Sequence, residues 1–213
     1  MRITCQILPP NFPGYVPYCP YTKHPGDAWS APDLDRARDL IRAAHATGAE
    51  VDLWNANAPF LPGSSTLGGY IADLLRRLGF RVSLHQLSDL RTYFGAIYQL
   101  QSKGIEIYAS GWFADYPGPG GFIDVQFRCV AASNNEGFCD RSFDDAVAEA
   151  HRLEPTDRTS ANAAWADIDH RLVDEAVWVP FTNPVGTFAF SARVGNAQVH
   201  PQWGVLLSRL WVR

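Results

Sequence analysis

The chain has 213 residues, of which 46% are hydrophobic, with seven tryptophans and a formal net charge of −4, which suffices for the core of one large or two small domains. Its Lys and Arg residues are scattered, so the sequence offers no basic surface for nucleic acid. No apolar run approaches the roughly 20 residues that cross a bilayer, and the start lacks the basic-then-apolar layout of a signal peptide. We therefore expect the chain as given to be soluble.

Four cysteines lie in two pairs that are local in sequence, Cys5 with Cys19 and Cys129 with Cys139. Four thiols permit three connectivities, and we predict the local one. The first pair encloses a proline-rich stretch with few backbone N–H groups for a regular ladder, and closing a loop of this size contributes about 3 kcal/mol by the loop-entropy argument. Disulfides would indicate an oxidising compartment; the alternative is four reduced thiols.

The first half of the chain alternates between strand and helix patterns. Helices are predicted from the Ser30-Ala31-Pro32-Asp33 start to a stop at Gly48, from the Ser64-Ser65-Thr66 cap to Gly79, and over roughly 90–102. The first of these has an apolar stripe that includes Leu40. Strands are predicted at 50–54, 80–84 and 105–110. This β-α-β-α-β order favours an α/β domain with a largely parallel sheet.

The second half begins with two consecutive helical patterns, at about 142–152 and 157–174. The second places four apolar residues at helical spacing, which we interpret as core: Ala161, Trp165, Ile168 and Leu172. Segments 178–181 and 188–190 are predicted as short strands or extended chain. The apolar run 205–212 needs a partner sheet or lobe to cover it.

An aromatic loop, 111–117, follows the strand predicted at 105–110 and reads Gly-Trp-Phe-Ala-Asp-Tyr-Pro. Its carboxylate, Asp115, stands among bulky aromatic side chains where a strand ends, and binding groups are often displayed at such positions. This combination suits a ligand with a cationic end and an apolar body. The alternative is a turn in which Asp115 only accepts backbone hydrogen bonds. No Cys-x-x-Cys pair or close histidine spacing indicates zinc, and no cofactor is expected.

Five short motifs occur in a characteristic order: PPNFPGY at 9–15, PDLDRAR at 32–38, GWFADYP at 111–117, FCD at 138–140 and LWV at 210–212. In this order the chain resembles, over nearly its whole length, the family 5 extracellular solute-binding proteins. These are the oligopeptide- and dipeptide-binding components of ABC transporters. The aromatic-Ala-Asp-Tyr-Pro motif, together with the later cysteine-containing segment, makes the resemblance fairly specific.

The resemblance implies an α/β fold: a periplasmic-binding-protein-like (type II) lobe with a mixed, largely parallel sheet flanked by helices. Members of that family are usually more than twice as long and close two lobes on the ligand, so this chain resembles a C-terminal portion. We expect residues 1–183 to form a ligand-binding lobe. Residues 184–213 would then cross back to the missing N-terminal lobe.

Site residues also follow from the resemblance. Asp115 matches the carboxylate that receives a peptide's α-ammonium group, while Gly111, Trp112 and Phe113 line the same cleft. Tyr116 would add apolar or cation–π contact. The pair Cys129–Cys139 matches a structural disulfide of the family. Where relatives commonly carry Asp, Asn or Glu after the Tyr-Pro, this chain has Gly118, a departure that leaves the ligand class open.

We therefore expect a chain that is not an enzyme and binds a peptide or other small solute for an ABC permease. Its place would be extracellular or periplasmic, with the full-length protein anchored to the membrane as a lipoprotein. One alternative is a ligand-sensing domain of a signalling or transcriptional regulator. A remote one is a hydrolytic enzyme that uses Asp144, Asp145 or Glu149 with His151 or His170, but a solvated helix face explains these side chains more simply.

Overall fold

A computed structural model describes residues 2–57, 64–99, 104–200 and 203–213, with only the backbone of Ser64. Two compact units emerge from its contacts. Residues 31–112 form one, here called the continuous unit; the residues up to Ser30 and those from Phe113 onward form the other, the split unit. The predicted division at residue 183 concerns a lobe outside this chain and stays a prediction.

The elements follow each other in an α/β order: β1 (Arg2–Ile3), α1 (Leu34–Ala43), β2 (Glu50–Ala56), α2 (Ser64–Leu78), β3 (Arg81–Leu87), α3 (Leu90–Ile97), β4 (Ile107–Tyr108), α4 (Asp124–Phe127), α5 (Arg141–Leu153), α6 (Arg158–Asp174), β5 (Thr182–Asn183), β6 (Val194–Gly195), β7 (Val199–His200), β8 (Gly204–Val205) and β9 (Trp211–Val212). Short 3-10 turns lie at Pro119–Gly121 and Leu207–Arg209. The predicted α/β class is confirmed.

The continuous unit is built on a parallel three-stranded sheet with the order β3-β2-β4. In its register Leu53 pairs with both Leu84 and Ile107. Strand β4 is shorter than the predicted 105–110, although backbone bonds from Glu106 to Asp52 and from Ala109 to Trp54 continue the ladder at both ends. The predicted sheet direction is therefore confirmed, while the regular part of its third strand is only two residues long.

Helix α2 packs closely on this sheet through a glycine. A Cβ added to Gly68 would lie 2.8 Å from the Cβ of Asn55, which is too close for any larger side chain. Asn55 lies on the same buried face of β2 as Val51 and Leu53. The glycine thus sets the distance between helix and strand.

Helix α1 differs from its prediction at its end and in its burial. It begins as expected, because the side chain of Asp33 accepts a hydrogen bond from the Arg36 N–H at 3.1 Å. It ends at Ala43 rather than near Gly48, since His45 already has a φ of 54°. None of its residues is buried, and Leu40 is 61% exposed. The predicted third helix, over roughly 90–102, ends earlier, at Ile97, because residues 98–99 form a turn; residues 100–103 lie outside the described part.

The core of the split unit lies between α5, α6 and segments far away in sequence. Its buried cluster comprises Ile7, Leu8, Ile123, Phe127, Phe143, Val147, Ala150, Trp165, Ile168 and Leu172. All four residues that were predicted as core on α6 are buried. Both predicted disulfides are present, Cys5–Cys19 and Cys129–Cys139.

A buried carboxylate connects the start of the chain to α6. Asp169 accepts hydrogen bonds from Gln6 Nε2 at 2.7 Å and from the N–H groups of Ile7 at 3.0 Å and Leu8 at 3.2 Å. Its burial raises the pKa of this carboxyl, although the three donors act in the opposite direction. These three hydrogen bonds attach the irregular segment 6–8 to α6, although the segment belongs to no β-sheet.

The C-terminal part forms short antiparallel pairs: β1 with β5, β6 with β9 and β7 with β8. Neither of the two predicted segments, 178–181 and 188–190, forms a regular strand, and β5 begins at Thr182, directly after the first. Large apolar side chains here stay partly open to solvent, including Phe181, Phe188, Trp203 and Trp211. Among the helices that the structure describes, none has the length and apolar character to cross a membrane.

Candidate functional site

The predicted site residues fall on both sides of the boundary between the two units. Gly111 and Trp112 are the last two residues of the continuous unit, whereas Phe113, Asp115 and Tyr116 belong to the split unit. Gly111 is exposed and Trp112 is half-buried. Phe113 is 71% exposed and Tyr116 is 40% exposed. Their joint role in one site therefore stays a prediction, and the site is built below from the split unit alone.

The Tyr116 ring lies across a glycine turn that begins at Pro117. A Cβ added to Gly118 would lie 3.0 Å from Tyr116 Cε2, and one added to Gly120 would collide with the Tyr116 hydroxyl. The glycine at 118 therefore has a packing role, because it leaves room for the tyrosine ring. Burial raises the pKa of Tyr116 to about 12, and the carboxylates of Asp124, Glu154 and Asp115 act in the same direction.

Asp115 lines a cleft of about 360 Å³ in the split unit. Other walls of this cleft come from Asp124, Val125 and Arg128 on and after α4, and from residues 130–133. The exposed Asp115 carboxylate makes no hydrogen bond or ion pair with any residue in the described part of the chain. Among the described residues, no backbone N–H group donates to this carboxylate, and its role in binding stays a prediction.

The second carboxylate of the cleft, Asp124, has a guanidinium and an imidazole as neighbours. It lies 3.3 Å from Arg128 Nη1 and 3.1 Å from His151 Nε2. His151 also lies 3.3 Å from Glu154, and Glu154 accepts a hydrogen bond from Trp165 Nε1 at 2.9 Å. This network ties the cleft wall to the core residue Trp165. Asp124 thus has an ionic partner in Arg128, whereas the described residues provide none for Asp115.

The opposite wall belongs to the loop that the Cys129–Cys139 disulfide closes. Inside the loop, Asn134 donates to the Arg128 carbonyl at 3.0 Å and accepts from the Phe138 N–H at 3.1 Å. At its start, the Cys129 N–H donates to Asp144 at 3.2 Å. These bonds and the disulfide constrain the loop that forms this wall of the cleft.

Two of the side chains weighed for an enzyme, Asp144 and His151, belong to the network around Asp124 and Arg128. Asp145 and Glu149 are exposed, as a solvated helix face requires. For Asp144 and His151 that interpretation was wrong, because both are partly buried beside Arg128 and Asp124 respectively. His170 stacks on Tyr18 with ring centroids 4.2 Å apart.

Across the described ranges, no group of three His, Cys, Asp or Glu side chains is placed to hold a metal ion.

Sequence reasoning missed the network behind the cleft and the buried Asp169. The network joins residues 124, 128, 144 and 151, whose spacing in sequence carries no recognisable period. Asp169 did carry a signal, because it follows Trp165 by four residues and precedes Leu172 by three, which places it on the buried stripe of α6. A charged residue in an apolar stripe predicts a buried partner.

No family model matches the chain, and no curated protein matches its sequence. Solved structures do match it. The chain is similar to a dipeptide-binding protein from Pseudoalteromonas sp. SM9913 in complex with Met-Leu, with a TM-score of 0.76 and 20% identity over 100% of this chain and 40% of that one. It is also similar to the clavulanic acid biosynthesis oligopeptide binding protein 2, with a TM-score of 0.81 and 22% identity over 99% and 38%.

A third similar structure is the Escherichia coli murein tripeptide binding protein, with a TM-score of 0.77 and 15% identity over 99% of this chain and 40% of that one. The chain thus spans about two-fifths of the length of the proteins it matches. These neighbours are binding proteins rather than enzymes. The predicted resemblance is confirmed in fold: this chain has the periplasmic-binding-protein-like α/β fold of part of such a solute-binding protein.

Proposed function

We propose that this chain is part of a two-lobed solute-binding protein that binds a peptide by its α-ammonium group at Asp115. The observation that carries the proposal is the open Asp115 carboxylate, which lines a cleft without any counter-ion from the described residues. A charge-assisted hydrogen bond from ammonium to carboxylate is stronger than a neutral one. The neighbours with this fold include proteins that bind dipeptides, oligopeptides and a murein tripeptide.

The rest of the proposal concerns the complete protein. Its second lobe would supply the facing wall of the cleft, and residues 184–213 would cross back to that lobe. Gly111, Trp112, Phe113 and Tyr116 would contact the ligand beside Asp115. The ligand would favour the closed state and shift the hinge equilibrium, and an ABC permease would bind that closed state.

The location of the complete protein is a further part of this proposal. Two disulfides and no free cysteine among the described residues suit an extracellular or periplasmic compartment, since disulfides persist in oxidising surroundings. The lipoprotein anchor that the resemblance implies stays a prediction.

The role of Asp115 can be tested by calorimetric titration of the complete protein with short peptides. Replacing Asp115 with Ala should weaken the binding of peptides with a free α-amine by at least about tenfold, or about 1.4 kcal/mol. The same peptides with an acetylated amine should bind weakly to both proteins. As a matched control, Asp167→Ala removes an exposed carboxylate of α6 outside the cleft and should leave the affinity unchanged.

Two outcomes would contradict the proposal. One is an Asp115→Ala variant that binds free-amine peptides as well as the wild type does. The other is nanomolar peptide binding by the 213-residue chain alone, because the proposal assigns half of the cleft to the second lobe.

A further inference from the structure

We propose that His151 is a positioning residue for the Asp115 site: its charged form holds the Tyr116 ring, and with it the backbone that carries the Asp115 carboxylate. The inference rests on the proposed function, because it takes Asp115 to be the group that binds the ligand's ammonium. It adds a regulatory property, since histidine changes its charge between about pH 5 and 8. The affinity for the ligand should then decrease as the imidazolium loses its proton.

The imidazole of His151 lies between two carboxylates, one on each side of the ring. Its Nε2 is 3.1 Å from an oxygen of Asp124, and its Nδ1 is 3.3 Å from an oxygen of Glu154. A neutral imidazole has one N–H donor, and its other nitrogen is an acceptor. Only the imidazolium can therefore donate to both carboxylates, and loss of the proton leaves one ring nitrogen facing an oxygen with no hydrogen between them.

The core of the split unit fixes the position of this imidazole. The buried ring of Trp165 contacts it edge to face, with ring centroids 5.0 Å apart. The Nε1 of the same tryptophan donates to Glu154 at 2.9 Å. The side chains of His151 and Asp124 are 32% and 27% exposed, and salt screens such a partly buried pair less than a pair on the surface.

The Tyr116 hydroxyl lies beside this imidazole. A Cβ added to the buried Gly120 would be 2.1 Å from the hydroxyl oxygen and 2.9 Å from His151 Cε1, so the two groups are neighbours above the same backbone atom. The same turn also packs on the loop, because a Cβ at Gly121 would be 2.7 Å from the Tyr116 carbonyl oxygen and 3.3 Å from the Asp115 nitrogen. The positions of the tyrosine ring and of the Asp115 backbone therefore depend on each other.

The groups that face His151 explain why its charge matters. On α4 it faces Asp124, which also pairs with Arg128 at 3.3 Å, and at the end of its own helix it faces Glu154. From the aromatic loop it faces Tyr116, which is uncharged because burial raises the pKa of its hydroxyl to about 12. Helix α6 contributes an uncharged indole. Loss of the proton thus removes the positive charge that faces both carboxylates, and their contacts with the ring weaken.

Loss of this charge has a second effect with the opposite sign. It makes the surroundings of Asp115 more negative, which favours an ammonium group through space. Salt screens a field that acts through solvent, since the Debye length shortens from about 10 Å at 0.1 M to about 3 Å at 1 M. A displaced loop is not restored by salt. At high ionic strength the loss of position therefore decides how affinity changes with pH.

NMR spectra of the 213-residue chain between about pH 5 and 8 test the positioning without any ligand. At the lower pH a nuclear Overhauser contact should connect the rings of Tyr116 and His151, and it should weaken as the His151 signals titrate. The backbone amide signals of Asp115 and Tyr116 should shift with the same midpoint. These shifts should be absent in His151→Gln. The control is His170→Gln, which changes a histidine that stacks on Tyr18 and should leave them as in the wild type.

Calorimetric titration of the complete protein in about 1 M salt tests the effect on binding, with the free-amine peptides used above, such as tri-L-alanine. At about pH 5 the wild type should bind about threefold more tightly than His151→Gln, and at about pH 7.5 the two affinities should be equal. The ratio cancels the titration of the peptide's own amine. His151→Arg keeps a positive charge with donors at both ends of its planar group and should bind at both pH values as the wild type does at the lower one.

The outcomes separate this inference from the proposed function. Amide signals of Asp115 and Tyr116 that do not follow the titration of His151 overturn the inference and leave the role of Asp115 intact. An affinity ratio that stays constant or rises with pH overturns it as well. Asp115→Ala with the affinity of the wild type contradicts the proposed function, and the NMR spectra then still decide whether His151 holds Tyr116.

Discussion

The two units of this chain differ in how deeply their helices are buried. The continuous unit contains the parallel sheet, yet its helix α1 buries none of its residues and Leu40 is 61% exposed. The split unit has only short strands, but its helices α5 and α6 contribute to the large buried cluster, and it contains both disulfides. A regular helix is thus not always a buried one here, and the same substitution should have different costs in the two units.

The largest expected difference concerns two leucines that both lie on helices. Leu172 on α6 is fully buried, whereas Leu40 on α1 is 61% exposed. Leu172→Ala should lower the free energy of unfolding by about 2–5 kcal/mol, because it removes buried methyl groups and leaves a cavity. Leu40→Ala should change it by less than about 0.5 kcal/mol. Urea unfolding of both variants measures the two values, and equal costs would remove the distinction between the units.

A smaller loss is expected when the buried carboxylate of the split unit is removed. Asp169→Ala takes the acceptor away from Gln6 and from the N–H groups of Ile7 and Leu8. Leaving buried donors unpaired costs about 1–3 kcal/mol, which urea unfolding detects. Asp167→Ala, two residues earlier on the exposed face of α6, is the control. If both variants unfold alike, Asp169 does not hold the N-terminal segment.

The contribution of Asp169 to the free energy of unfolding should decrease as the pH rises. Burial raises the pKa of Asp169 above its ordinary value of 3.8, so its contribution to stability is fully present below pH 3.8 and is lost as the pH rises through the raised pKa. Asp169→Asn does not titrate. The free energy of unfolding of the wild type should therefore fall relative to that of Asp169→Asn as the pH increases from about 4 to 7. A difference that grows with pH would contradict the assigned shift.

The smallest effect is expected at an ion pair on the sheet of the continuous unit. Glu50 and Arg81 pair across β2 and β3 at 3.2 Å, with both side chains more than two-thirds exposed. Exposed pairs contribute about 0–1 kcal/mol, so Glu50→Ala should leave urea unfolding nearly unchanged. A loss as large as that of Leu172→Ala would show that the stability of the sheet depends on this exposed ion pair rather than on burial.

Periodicity predicted much of the fold because helices and strands impose periods on apolar residues. The α2, α5 and α6 boundaries came within two residues, and the core stripe of α6 was confirmed. The end of α1 was not predictable, since its stop at His45 depends on a positive φ in a residue that is not glycine. For 188–190 the sequence could not choose between a short strand and extended chain, because a strand needs a pairing partner that local sequence does not reveal.

The candidate site was predictable only in part. The aromatic loop and its carboxylate stand out from residue types alone, and the sequence-local disulfide pairing was confirmed. The cleft itself was not visible, since residues 115, 124 and 130 meet through the fold and not through a motif. Gly118 is an instructive case: as a departure from relatives it left the ligand class open, whereas the structure gives it a role in accommodating Tyr116.

The bond between Gln6 and Asp169 spans 163 residues, which has a consequence for synthesis. A ribosome that adds 5–20 residues per second needs roughly 10–30 s to make α6 after it has made Gln6. During that time the continuous unit is already complete in sequence, while Ile7 and Leu8 have no helix to pack on. A helix made late in translation thus decides when Ile7 and Leu8 become buried.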